Sequence, residues 1–89
     1  MGLTHYEFSA HALQEMKRRS IPLAVVEAIL SEPDQVVSGR DGRTIYQSQV
    51  DNEEGKTYLV RVVVDGTLVT ALVITVYRTS KIQKYWRAE

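Results

Sequence analysis

Two apolar runs dominate the second half of the chain, Tyr58 to Asp65 and Leu68 to Tyr77, and they meet at Asp65-Gly66. Runs rich in β-branched residues and joined by a turn signal read as a hairpin, and one this apolar belongs at the centre of a small sheet. Earlier in the chain the period changes. From Ala10 to Arg19, at ~100° per residue, Ala12, Leu13 and Met16 form an apolar stripe, with His11, Gln14, Glu15 and Arg18 on the other side. Ser9 has the chemistry of an N-cap. Ser20-Ile21-Pro22 interrupts the pattern, because proline disfavours helix in the residue before it. A second helix is predicted over 22–31, with Val25, Val26, Ile29 and Leu30 on its buried side, and Glu32-Pro33-Asp34 stops it.

Between helices and hairpin, Val36-Val37 predicts a short edge strand and Gly39 to Gly42 a turn. Arg43 to Val50 reads as a strand in which Ile45 alternates with polar neighbours, and Asp51 to Lys56 as a charged hairpin loop. The expected fold is α+β: two N-terminal helices packed on a three- to four-stranded antiparallel sheet, as a single domain over 1–89.

The turn at Asp65-Gly66 decides which side chains share a face. A two-residue turn pairs Val64 with Thr67, whereas a three-residue turn with a bulge pairs Val64 with Leu68. The bulged register sorts the chain more cleanly and is the one expected. It puts Tyr58, Val60, Val62, Val64, Leu68, Thr70, Leu72, Ile74 and Val76 under the helices. The other face then holds Leu59, Arg61, Val63, Val69, Ala71, Val73, Thr75 and Tyr77, whose polar members suit a shallow cleft.

Composition narrows the functional classes. Eleven acidic and eleven basic side chains cancel, which counts against an avid general nucleic-acid binder, since phosphate neutralisation supplies most of such affinity. The charge is uneven, however. Arg78, Lys81, Lys84 and Arg87 follow the hairpin with no acid among them, while Asp51, Glu53 and Glu54 crowd one loop. The chain has no cysteine, so it offers neither a disulfide framework nor a thiolate metal site, which fits a reducing cytoplasm. No Asp/Glu cluster accompanies its two histidines, and no metal or cofactor is expected. The N-terminus lacks the pattern of a secretory signal. No apolar run approaches the ~20 residues that span a bilayer, so no membrane association is expected.

Several residues carry possible chemistry. His11 lies on the polar stripe of the first helix with Arg18 two turns on. An imidazole exchanges protons near neutral pH and a guanidinium holds a phosphate bidentately, a pair suited to metal-independent RNA cleavage. The bland reading is a solvated histidine. Arg61 stands alone inside an apolar strand. Either it pairs with an acid such as Glu7 or Glu15, or it faces a cleft and stabilises an anionic transition state. Thr75 and Tyr77 share its face in the bulged register. In the tail, Lys81, Lys84, Tyr85, Trp86 and Arg87 either stack on bases and meet phosphates or pack the end of the core.

With these residues laid out, Ser9-Ala-His11-Ala12, then Met16, then Arg19-Ser-Ile21 resembles the opening motif of an uncharacterised "domain of unknown function" family of small prokaryotic proteins. Glu32-Pro33-Asp34 and the closing Val73-Ile-Thr-Val-Tyr77 match too. That family is grouped by fold with RelE and BrnT-like toxins and barnase-type ribonucleases. The resemblance implies helices on a curved antiparallel sheet and a ribonuclease or toxin-like ancestry, with His11, Arg19, Thr75 and Tyr77 as the matching positions of interest. The resulting expectation is a metal-independent endoribonuclease, the toxin of a toxin–antitoxin pair. His11 would be the general acid or base, Arg61 and Arg18 or Arg19 would hold phosphate, Thr75 and Tyr77 would position substrate, and Lys81, Lys84 and Trp86 would bind RNA. The partners would be RNA and an antitoxin. The alternative is a non-catalytic protein-interaction or RNA-binding module of the same fold, favoured by the neutral charge and by Glu15. A third reading has Arg61 and the tail build a homodimer.

Overall fold

The structure is a computed structural model that describes residues 2–88. The chain is α+β, with three helices and one five-stranded mixed sheet of order β1-β5-β4-β3-β2. The strands are β1 (Tyr6–Phe8), β2 (Gln35–Ser38), β3 (Arg43–Asp51), β4 (Thr57–Asp65) and β5 (Ala71–Thr79). The helices are α1 (Ala10–Arg18), α2 (Leu23–Ser31) and the single turn α3 (Ile82–Tyr85).

The expected sheet of three or four antiparallel strands is thus corrected. β1 is a fifth strand and runs parallel to β5, Tyr6 opposite Ala71 and Phe8 opposite Val73. Three residues are too few to display an alternation, so this strand carries no period of its own. What fixes it is Ser9. Its N–H donates to the carbonyl of Val73 (3.0 Å), and its hydroxyl donates to that of Ile74 (2.9 Å) while accepting from the N–H of Ala12 (3.0 Å). One serine therefore ends β1, docks it on β5 and caps α1.

α1 closes as cleanly as it opens. The N–H of Ser20 donates to the Lys17 carbonyl (3.2 Å) and that of Ile21 to the Met16 carbonyl (2.8 Å), with Ser20 left-handed at φ 55°. That double bond is a Schellman stop, and its apolar pair, Ile21 with Met16, lies in the core. Pro22 then starts α2, whose own amides Val25 and Val26 bond back to its carbonyl.

The bulge exists, but not at the turn. β4 pairs Arg61 with Tyr77, Val62 with Val76 and Val63 with Thr75, then slips by one so that Val64 faces Val73. Ile74 is the extra residue, and its carbonyl is the one Ser9 holds. The hairpin opens into a loop over 66–70, where Asp65 Oδ1 accepts from both the N–H (3.0 Å) and the hydroxyl (2.6 Å) of Thr67. These bonds, and to a lesser degree Arg43, hold the Asp65 carboxyl below its usual range. Leu68 and Val69 are consequently exposed loop residues rather than strand residues. The slip also moves Ala71 and Val73 to the helix side, so the core joins Val60, Val62, Val64, Ala71, Val73 and Val76 to Ala12, Met16, Ile21, Val26, Ile29 and Leu30. Each buried aliphatic side chain contributes about 1.5–3 kcal/mol relative to exposure. The opposite face buries Val37, Ile45 and Leu59, and among them Gln35, Gln47 and Arg61.

Candidate functional site

Because side chains alternate along a strand, Arg61 points away from its neighbours Val60 and Val62 and therefore away from both long helices. It is 7% exposed. Its Nε donates to Gln47 Oε1 (2.8 Å) and its Nη1 to the Tyr77 hydroxyl (2.6 Å). The ring of Tyr85 lies over the guanidinium, centroid to Cζ 4.3 Å, with Tyr77 at 5.8 Å. Gln47, completely buried, passes the network on: its Nε2 donates to Gln35 Oε1 (2.8 Å) and to the Tyr85 carbonyl (3.2 Å). Gln35 finishes it with a pair of bonds to one residue, Nε2 donating to the Arg87 carbonyl (2.6 Å) and Oε1 accepting from the Arg87 N–H (3.0 Å). The segment after β5 thus crosses this face as a strap, fastened by two glutamines.

Among the described residues no carboxylate pairs with Arg61; the ion pairs there are those of Glu15 with Arg18 and Arg19. A buried guanidinium is permanently charged, and here every partner is neutral. Hydrogen bonds and the Tyr85 ring offset its desolvation without cancelling the charge. The expected partners Glu7 and Glu15 are elsewhere: Glu7 is exposed on β1, and Glu15 sits on α1, which packs on the opposite face.

A family model described as Domain of unknown function (DUF4258) matches residues 8–78. The chain belongs to the DUF4258 family. The matched span holds Gln35, Gln47, Arg61 and Tyr77 and stops short of the strap. No curated protein and no solved structure matches the chain.

In this DUF4258 chain the residues singled out from sequence fall on two sides of the sheet. Arg61, Thr75 and Tyr77 share one face, as expected, and Lys81, Lys84 and Trp86 lie on the strap over it. His11, Arg18 and Arg19 belong to α1 and its C-cap, on the other side. His11 is exposed. Arg18 donates to both oxygens of Glu15 (3.1 and 2.9 Å) and Arg19 to one (3.0 Å). The Arg18 bonds first, then that of Arg19, lower the Glu15 carboxyl from an ordinary 4.5 to about 2. The fold does not bring His11 and Arg61 to one site.

Sequence reading missed Gln35 and Gln47. The signal was present: Gln47 is in phase with Ile45 and Gln35 with Val37, so each occupies an inward position of its strand. A cavity of about 250 Å³ lies elsewhere, on the helix side, between Ser20–Pro22 and the β3–β4 hairpin, where Arg78 stacks 5.1 Å over the Tyr58 ring. Among the described residues no cluster of His, Asp and Glu is arranged to hold a metal ion, and no helix is long and apolar enough to cross a membrane.

Proposed function

We propose that this DUF4258 protein acts on RNA as a metal-independent endoribonuclease of the RelE/BrnT toxin type, with Arg61 and Tyr77 meeting the scissile phosphate. The observation that carries this reading is a buried guanidinium with no carboxylate among its described partners. Its uncancelled charge favours an anionic phosphorane, and a water-poor site strengthens the effect. Tyr77 accepts from Arg61, so its own O–H remains free to donate. In the reaction the 2′-oxygen bonds to phosphorus and releases its proton to solvent. The P–O5′ bond breaks, the departing O5′ takes the Tyr77 proton, and solvent returns a proton to the phenolate. The strap covers Arg61, so RNA reaches the pair only when the strap swings off it; Lys81 and Lys84, exposed on the strap, then guide the RNA backbone, and an antitoxin would silence the protein by covering this face. His11 stays outside the reaction because it belongs to the other side of the sheet.

The test is cleavage of an end-labelled single-stranded RNA in excess chelator. Wild type leaves a 2′,3′-cyclic phosphate. Arg61→Ala and Tyr77→Phe slow cleavage by about 10²-fold or more, and His11→Ala leaves the rate unchanged. Full activity in Arg61→Ala would remove the pair from the mechanism. The second reading, a non-catalytic binding module, draws on the Tyr85 ring that roofs the guanidinium. Under it no protein variant cleaves, and Arg61→Ala weakens RNA binding.

A further inference from the structure

The strap is an unusual cover. α3 is one turn of four residues with none buried, and only Ile82, Tyr85 and Trp86 are half-buried. So short a helix has no stability of its own. Beneath it lie polar groups, the Gln35 and Gln47 carboxamides and the Arg61 guanidinium, on the same face as the buried Val37, Ile45 and Leu59. When the strap lifts, water can satisfy all of those polar groups, so opening leaves none of them unpaired.

The glutamines read main chain, not side chain. Gln35 pairs with the N–H and the carbonyl of Arg87 as one peptide unit pairs with another, and Gln47 adds the Tyr85 carbonyl. Such bonds accept any non-proline residue. Side-chain recognition centres on the Tyr85 ring, which lies over Arg61 and packs edge-on against Tyr77. The strap is also a mismatched ligand by charge. It puts the Lys84 ammonium 5.3 Å from the same ring that covers Arg61, and it brings no carboxylate to that cation.

We infer that this face is a groove for an extended segment of a partner protein bearing an aromatic residue and, next to it, an acidic one, which exchanges with the strap. The aromatic ring takes the Tyr85 position, the partner's main chain takes the bonds of Tyr85 and Arg87, and its carboxylate supplies the counter-ion Arg61 lacks. A segment seated there covers Arg61 and so excludes phosphate. The binding itself is independent of the ribonuclease reading and is measured without RNA.

The experiment is fluorescence anisotropy of labelled peptides of residues 80–88 added to full-length protein. The tethered strap competes at an effective concentration on the order of mM, so Tyr85→Ala is used to loosen it. Release is read as a red shift of Trp86, the only tryptophan. Tyr85→Ala is expected to bind the native-sequence peptide at least about tenfold more tightly than wild type does. A Lys84→Glu peptide gains a further ~tenfold, and Arg61→Ala added to the protein removes that gain. A peptide N-methylated at the Arg87 amide binds no better than background, which tests main-chain reading without disturbing the fold. The inference fails if Trp86 does not shift in Tyr85→Ala, if it shifts but no peptide binds, if N-methylation is harmless, or if Lys84→Glu gives no advantage.

Discussion

Gln47 is the residue on which the sheet's polar face turns. Its carboxamide is fully engaged, accepting from Arg61 and donating to Gln35 and to the Tyr85 carbonyl. Gln47→Leu would strip the Arg61 Nε of its acceptor while the charge stays buried, a cost of about 3 kcal/mol. Arg61→Met should cost less, because it removes the cation along with its bonds. The double variant should then be more stable than the sum of the two by at least about 1 kcal/mol, read from urea melts as a double-mutant cycle. Strict additivity would mean that the bond from Arg61 to Gln47 carries no energy. Glu15 makes a second prediction at this scale. Its folded pKa, about 2, lies below its ordinary 4.5, so its stabilisation is complete above 4.5 and disappears as pH falls towards 2. The thermal midpoint of wild type should therefore exceed that of Glu15→Gln at pH 7, and the gap should narrow between pH 4.5 and 2. A gap undiminished at pH 2 would assign the effect to packing instead.

The first helix shows why a motif can reveal fold and conceal function. Ser9 is the N-cap, Ala12 and Met16 face the core, Arg19 is the C-cap, and Ser20-Ile21 closes the Schellman stop. Every residue of the opening motif except Ala10 and His11 thus has a structural task, so likeness at those positions speaks of a helix that starts, packs and stops in a given way. The helices were legible for the same reason, since their signals are local. β1 and the place of the bulge, expected at the Asp65-Gly66 turn, were not, because both involve Ser9 reaching Val73 and Ile74 across the chain, and no local period records that contact. The polar face was half legible: Arg61 and Tyr77 stood out against their apolar runs, whereas Gln47 was hidden among polar neighbours. Ser9→Ala should accordingly cost more than an ordinary cap, about 2 kcal/mol, since it removes both the bond from Ala12 and the bond to Ile74. Ser9→Asp separates the two, because a carboxylate can still accept from Ala12 but cannot donate to Ile74. Recovery of full stability in Ser9→Asp would show that the link to the bulge is dispensable.

For the whole molecule, the sheet divides the cations into two populations. Arg18 and Arg19 on the helix side are held by Glu15, whereas Arg61, Lys81 and Lys84 on the strap side have no carboxylate among the ion pairs of the described residues. With a net charge of zero, long-range attraction supplies little RNA affinity, so under the proposed function binding draws on the local cations of the strap side. About three phosphate contacts to a single strand give a slope near −2 for log K against log salt, at about 0.7 per contact. Lys81→Ala with Lys84→Ala should flatten that slope by about 1.4 and leave the thermal midpoint unchanged, both side chains being exposed. Arg18→Ala with Arg19→Ala should change the slope less, because Glu15 already neutralises one of those two charges. If the second pair flattened the slope and the first did not, RNA would lie against α1, on the side of His11. Arg61 would then be left to the partner segment alone, and the two faces of the sheet would serve two different ligands.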